Sequence, residues 1–478
     1  MDLALILFPL IMALVAFAIP SNRLRPWILP VTGAGHLALT LHTLIAAPVR
    51  VFCAPWLTLD PLGRLVLLLL SVLFVCNSVY TVSFLRHNER SNRIYCTCLS
   101  ACLSATTLLV WANHLGIMWI SIETMALCTA PLIFFLHTPQ AIEAAWKYLL
   151  IGSVGIALAL LGSFFLAYAS LHAGLHPTLI YSDLLKEAGK LSKPWLHAAF
   201  VMMLVGYGTK MGLAPMHTWL PDAHSEAPSP ISAMLSGSLL PCAFLAVLRI
   251  YHICLAAGEG AFVTWPLLVL GLFSMAVAGV FIVGQRDFKR MLAYSSVEHM
   301  GILALGLSIG GRLALFGTLL HLLNHGLTKV VMFLSAGNIY HAYGSKSTDQ
   351  VRGALRRVPW SAAIFLAGFM AMTGSPPFGP FISEFTILNA AFIDERYISG
   401  ALFLLFLLIV FIGMGAAVLG IVQGRPPRET PAAPFRENAF NILPPLLCLA
   451  AVLMLGLFIP APLGGLITAA VQFLETTP

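Results

Sequence analysis

The chain has 478 residues, of which 59% are hydrophobic and only 9% charged, with a mean hydropathy of +0.91. Soluble globular domains carry about 25% charged residues, so a water-soluble enzyme is excluded, and about 280 apolar side chains suffice for roughly 14 bilayer spans. The net charge of +7 is scattered through short loops between apolar runs, which orients a chain in a membrane and offers no basic face to nucleic acid.

In chain order, apolar runs bounded by charge, proline or glycine predict helices over 2–20, 27–46, 62–85, 95–112, 114–136, 144–172 and 196–219. Further runs follow over 229–255, 262–284, 293–309, 313–340, 360–393, 398–423 and 442–474. The fold class expected is an all-α polytopic membrane protein of about 14 transmembrane helices. The first run lacks a basic leader region and a small-residue cleavage site, so it reads as a retained helix. The longest aqueous connections, 173–195, 341–359 and 424–441, leave no room for an extramembrane domain.

One side collects fifteen Lys and Arg, among them Arg23, Arg86, Arg93, Lys289, Arg290 and Arg428, against seven on the other, among them Arg50, Lys186 and Lys193. The richer side is expected to be cytoplasmic, with both termini on the periplasmic side of a cell inner membrane. Nine cysteines occur without CxxC or Cys/His spacing, and Cys96, Cys98 and Cys102 lie inside an apolar run. No metal ion and no cofactor is expected.

Glu123, Lys147, Lys210, Arg249, Lys329 and Glu384 lie in or near apolar runs. An isolated charge at mid-bilayer depth costs about 2.5–3.5 kcal/mol, so six would cost on the order of 15–20 kcal/mol, as much as the whole stability of an ordinary domain. They must pair or line a hydrated interior. His217, His299, His321 and His325 lie in such segments too, and His321, His325 and Lys329 stand at i, i+4 and i+8 on one helix face. A proton path accounts for this set better than unrelated helix clamps do.

Two blocks of five helices, 95–255 and 262–423, follow three N-terminal helices (1–94) and precede a C-terminal one (442–474). Five is odd, so the blocks enter the membrane from opposite sides, as an inverted repeat does. The third helix of each block carries a lysine, Lys147 and Lys329. The fourth is interrupted by proline beside a charge. GTKMGLAPMHTWLPDAH (208–224) places Lys210 five residues before Pro215, and TGSPPFGPFISEF (373–385) places Glu384 four residues after Pro380, beyond Pro376 and Pro377. Proline removes a backbone donor, and the freed carbonyls survive in a membrane only where protein or a watery cavity satisfies them.

The stretches WISIE (119–123), KMGLAPMHTWLPDAHSEAPSPISAMLSG (210–237), DFKRMLAYSSVEHMG (287–301) and HLLNHGLTKVVMFLSAG (321–337) carry a further signal. They resemble the antiporter-like membrane subunits shared by respiratory complex I, Mrp-type cation/proton antiporters and membrane-bound group 4 hydrogenases. The wording SEAPSPISAMLSG is most similar to the hydrogenase-4 component F branch of formate hydrogenlyase-type complexes. The resemblance implies a proton-translocating subunit of a redox-driven complex, held in lipid among other membrane subunits and served by soluble iron–sulfur and hydrogenase-type chains. A complex I or Mrp-type subunit moving protons, or cations against protons, is the alternative within the family. The resemblance further implies that Glu123 pairs with Lys210, that His217, His321 and His325 line a central axis, that Arg249 matches a family arginine, whose permanently charged guanidinium is a poor relay but a good electrostatic anchor, and that Glu384 marks the exit. Asp222 and His224, just past the first break, read as an entrance or as loop caps. DFKR and the loop 341–359 read as a docking place for a soluble subunit or as a solvated loop.

One position departs from the pattern. Where pumping members of the family place a lysine, thirty-one residues after Lys210, this chain has Pro241. Proline carries no exchangeable proton, so either water or a side chain such as His252 bridges the gap, or the first half-channel is incomplete. A structural scaffold whose charges only clamp helices is therefore the expectation from a different class. The chain has no Walker motif and no dinucleotide fingerprint, so redox chemistry is expected in partner chains.

Overall fold

The computed structural model describes residues 2–46, 53–86, 88, 90–425 and 435–476; Arg50 and Arg428 lie outside them. The described residues form helices and no strand. Helices α1 (Asp2–Ala18), α2 (Ile28–Ile45) and α3 (Pro61–Arg86) lead into α4 (Arg93–Trp111), α5 (Leu115–Ile133) and α6 (Pro139–His172). A short α7 (Tyr181–Lys186) precedes α8 (Lys193–Met211), α9 (Trp219–Glu226) and α10 (Ser229–Met234), and one π turn, Leu235–Leu239, joins α10 to α11 (Leu240–Ala256). Then come α12 (Gly260–Ile282), α13 (Phe288–Ile309), α14 (Gly311–Tyr343), α15 (Ala354–Arg357), α16 (Pro359–Met372) and α17 (Gly379–Ile393). The chain closes with α18 (Tyr397–Gln423), α19 (Ala439–Leu457) and α20 (Ala461–Glu475).

Eleven helices among the described residues are long and apolar enough to cross a bilayer, and α1, α16, α17 and α20 are shorter apolar helices. This is a multi-pass membrane protein. Burial sorts its helices into shell and core. The most apolar stretches of α10–α11 and of α14 are wholly enclosed, and that of α13 is 94% so, whereas those of α18 and α2 are only 22% and 28% enclosed. Lipid is as apolar as leucine, so it is small and polar residues that draw helices together. Accordingly α14 carries histidine, asparagine, threonine and lysine, while α18 is mostly Leu, Ile, Phe and Val.

The breaks are built so that protein satisfies the freed backbone. Helix α8 stops at Gly212, which takes a left-handed conformation, and its last carbonyls are met by nearby donors. Trp219 Nε1 donates to the Thr209 carbonyl at 2.8 Å, and the Ala214 N–H donates to Ser274 Oγ at 2.9 Å. Pro215 lies in the turn between α8 and α9. Pro376 and Pro377 lie between α16 and α17, while Pro380 occupies the first turn of α17, where its missing N–H is not needed. A third interruption, between α19 and α20, falls within the run 442–474, which was expected to be one helix.

Pro241 has a structural consequence of its own. It has no N–H for the Gly237 carbonyl, and the chain responds with the wider π turn, in which the Leu240 N–H reaches the Leu235 carbonyl. The Ser236 carbonyl is thereby released and lies 3.3 Å from Nε2 of His325 on α14. Close approach makes this contact feasible. A Cβ built on Gly237 would stand 3.0 Å from the Gly326 carbonyl oxygen, and one on Gly326 would stand 3.0 Å from that of Gly237.

Candidate functional site

The second block assembles its expected residues into one buried cluster. Nδ1 of His299 on α13 lies 2.9 Å from Nε2 of His321 on α14, and Nδ1 of His321 lies 3.0 Å from Ser383 Oγ on α17. The ring of His325 is 5.1 Å from that of His299. One turn further along α14, Lys329 donates to Ser295 Oγ at 2.5 Å and to the Leu292 carbonyl at 3.1 Å. Glu384, one residue after Ser383, is buried, and one ligand atom each from His299, His321 and Glu384 lies within 4.8 Å of the others. All of these side chains are buried within the protein.

Glu298 was missed by the sequence reading. It is buried on α13 beside His299. It stands inside the quoted stretch DFKRMLAYSSVEHMG, so an intramembrane acid was visible there.

The first block is looser. Lys210, at the end of α8, is buried, and its Nζ has no hydrogen-bond partner in the protein. It lies 4.8 Å from the centre of the Tyr148 ring, and it fits because residue 152 on α6 is glycine: a Cβ there would collide with Nζ. Glu123 on α5 acts on Lys210 electrostatically but makes no ion pair with it within 4 Å; it accepts instead from Ser153 Oγ at 3.2 Å. Its carboxylate opens on a groove of about 310 Å³ lined by Trp119, Ile156, Leu160 and Phe164. His217 is buried in the break, its ring 6.2 Å from that of Tyr294.

Two expected residues, Lys147 and His224, sit differently from their sequence reading. Lys147 does not join the buried row. Thr138 caps α6 and Pro139 opens it, five residues earlier than expected, so Lys147 lies near the helix end, 45% exposed, paired with Glu143 at 2.7 Å and Asp222 at 2.9 Å. Asp222 also pairs with Arg290. His224 is not at an opening, because α9 turns it inward to stack on Phe333. Arg249 is saturated: it donates to Asp60 at 3.0 and 3.1 Å and to the carbonyls of Leu109, Val110 and Ala112 at the end of α4. It therefore closes a helix C-terminus and has no donor left for relay.

DFKR is likewise engaged inside the chain. Asp287 caps α13, and Lys289 is buried, donating to the Ser225 and Ala227 carbonyls. In the loop 341–359, after α14, Lys346 pairs with Glu226 at 2.6 Å. His252 donates or accepts at 2.7 Å with Tyr181 OH, away from Lys210, and so does not bridge the Pro241 gap by a direct bond.

A family model described as NADH:quinone oxidoreductase/Mrp antiporter, transmembrane, matches residues 112–413. The chain belongs to this family of antiporter-like membrane subunits. It is 34% identical to a hydrogenase-4 component F homolog of Methylacidiphilum infernorum, over 88% of this chain and 89% of that one. It is 30% identical to NADH-quinone oxidoreductase subunit N of Desulforudis audaxviator, over 96% of each. A chain of the membrane-bound sulfane sulfur reductase, an archaeal respiratory membrane complex, superposes with a TM-score of 0.89, covering 100% of this chain and 98% of that one at 22% identity. That last likeness is one of fold.

Proposed function

We propose that this chain is the proton-translocating subunit of a membrane-bound group 4 hydrogenase of the formate hydrogenlyase type. One observation carries the reading. Buried ionisable side chains reaching from the first broken helix to the second hold atoms without a protein partner: Lys210 Nζ, His325 Nδ1 and Glu384 Oε1. Buried polar groups are almost always satisfied by protein or by ordered water, so a succession of open ones on titratable groups supports a hydrated path. Family membership and the likeness to a hydrogenase-4 component F homolog support the kind of complex.

In this reading protons pass by way of Glu123, Lys210, His217, His325, His299, His321 and Glu384, with Lys329 and Glu298 setting the charge of the central cluster. Asp222 and Lys147 stand in an ion-pair cluster with Arg290 at the end of α6 and α9. Two five-helix units, 95–255 and 262–423, related by inversion, follow the three helices of 1–94 and precede the segment 442–474, making fourteen crossings. The arginine-rich end is cytoplasmic and both termini are periplasmic. Other membrane subunits flank the chain, and electron transfer takes place in soluble iron–sulfur and hydrogenase-type partners.

A second reading, a scaffold with lost or altered pumping, is favoured by Pro241, which leaves a backbone carbonyl where a lysine was expected to link Lys210 to the cluster. The test is to reconstitute the complex with Glu384→Gln and measure protons moved per electron. Translocation should fall by about tenfold or more, as when a proton-transferring group is removed elsewhere, with assembly intact. Unchanged stoichiometry would discard the relay.

A further inference from the structure

We propose that His299, His321 and Glu384 form a binding site for a divalent transition-metal ion of the Zn²⁺ class, and that its occupation blocks the second block. The three side chains are buried, and one ligand atom from each lies within 4.8 Å of the other two. Two imidazole nitrogens and a carboxylate oxygen suit borderline-soft ions such as Zn²⁺ and Co²⁺, whereas Mg²⁺ and Ca²⁺ take oxygen ligands.

The rings are already placed for it. Nδ1 of His299 and Nε2 of His321 face each other 2.9 Å apart. Two bare lone pairs at that distance repel, so a positive centre must lie between them. In the metal-free protein the Nδ1 hydrogen of His299 fills the gap. When a metal ion takes its place, that proton moves to Nε2 of the same ring, and the two nitrogens part to about 3.3 Å, the span of ligands about 2.0–2.1 Å from a tetrahedral ion. The His321 proton then resides on Nδ1, 3.0 Å from Ser383 Oγ, which fixes the tautomer and the ring orientation as outer partners of zinc-binding histidines do.

Ligand capacity is left over as well. Oε1 of Glu384 is buried without a protein partner. The Glu384 carboxylate also lines a groove of about 350 Å³ with Thr373, Ser375, Phe381 and Phe403, which supplies a way in.

The binding itself is independent of the proposed function; only the block of translocation rests on that reading. The purified full chain in detergent is titrated with Co²⁺. One ion per chain should give the visible absorption of a four-coordinate nitrogen/oxygen site, displaced by Zn²⁺. His321→Gln should abolish the signal. Glu384→Cys should keep the ion and add a thiolate-to-cobalt charge-transfer band that the parent, with its nine native cysteines, does not show. His197→Gln, which breaks the His197–Glu259 contact of 2.7 Å elsewhere in the chain, should change nothing. A cobalt spectrum that survives His321→Gln, or that vanishes with His197→Gln, overturns the site. Zn²⁺ added to the reconstituted complex should lower protons per electron. Binding without that loss leaves the metal site standing and removes the relay, while absence of binding removes the site and leaves the relay to the Glu384→Gln test.

Discussion

Arg249 in α11 and Lys210 at the end of α8 are both buried cations of the first block, yet they are treated in opposite ways. The guanidinium of Arg249 meets Asp60 and three carbonyls at the end of α4, whereas the ammonium of Lys210 meets an aromatic face and no hydrogen-bond acceptor. A buried charge with every donor engaged is a strut. A buried charge left open is held by its surroundings only loosely enough that gaining or losing a proton changes little else. The contrast separates the structural from the relay meaning of buried charge within one block, and substitutions can break it.

The largest effect is expected at the strut. Arg249→Met strands Asp60 and the α4 carbonyls in a buried place, and removing one partner of such a pair costs about 3–5 kcal/mol. Thermal unfolding of the purified chain should show the loss, with poor assembly. Should the variant unfold like the parent, the saturated hydrogen bonding carries no weight and the comparison collapses. Lys210→Met should lie at the other extreme: stability within about 1 kcal/mol of the parent, because an apolar chain of similar length replaces an unpartnered ammonium, but translocation reduced about tenfold or more. A scaffold role predicts the reverse, with lost stability and normal coupling.

A smaller effect is expected at Lys147. Its pairs with Glu143 and Asp222 lie near the end of α6 with the side chain 45% exposed, and exposed pairs contribute about 0–1 kcal/mol. Lys147→Met should thus leave unfolding nearly unchanged. A loss comparable with that of Arg249→Met would mean that the cluster around Asp222 clamps α6 to α13.

How much of this could be read from the chain follows from where the information resides. The broken helices were legible because proline beside a charge is a local signal, and Lys210, His321, His325, Lys329 and Glu384 stood out as polar residues in apolar runs. The resemblance then supplied the pairing of Glu123 with Lys210, which the structure renders as electrostatic reach without an ion pair. What was not legible was contact. That Asp60 belongs to Arg249 spans 189 residues of sequence, and no spacing rule brings it there. The enclosure of His224 depends on which way α9 turns. Glu298 was legible and overlooked, masked by its neighbour His299. The π turn was half legible: Pro241 announced a missing donor, but which carbonyl would be released, and toward His325, required the fold.

The finest test changes neither charge nor hydrogen bonding. Gly152 sits on α6 where a Cβ would collide with Nζ of Lys210 and approach its Cε to 3.0 Å. The obstructing atoms are the far end of a flexible side chain, so Gly152→Ala should be accommodated by displacing the ammonium. Within a helix the exchange of Gly for Ala is worth about 0.5–1 kcal/mol in favour of Ala, which offsets the repacking and leaves net stability close to that of the parent. If the position of the Lys210 ammonium between Tyr148 and the Glu123 groove matters for handing a proton onward, coupling should drop severalfold in a protein that melts where the parent melts. If Lys210 only fills space, displacing its tip should leave protons per electron untouched, and the open cation would be no more a relay than the saturated one.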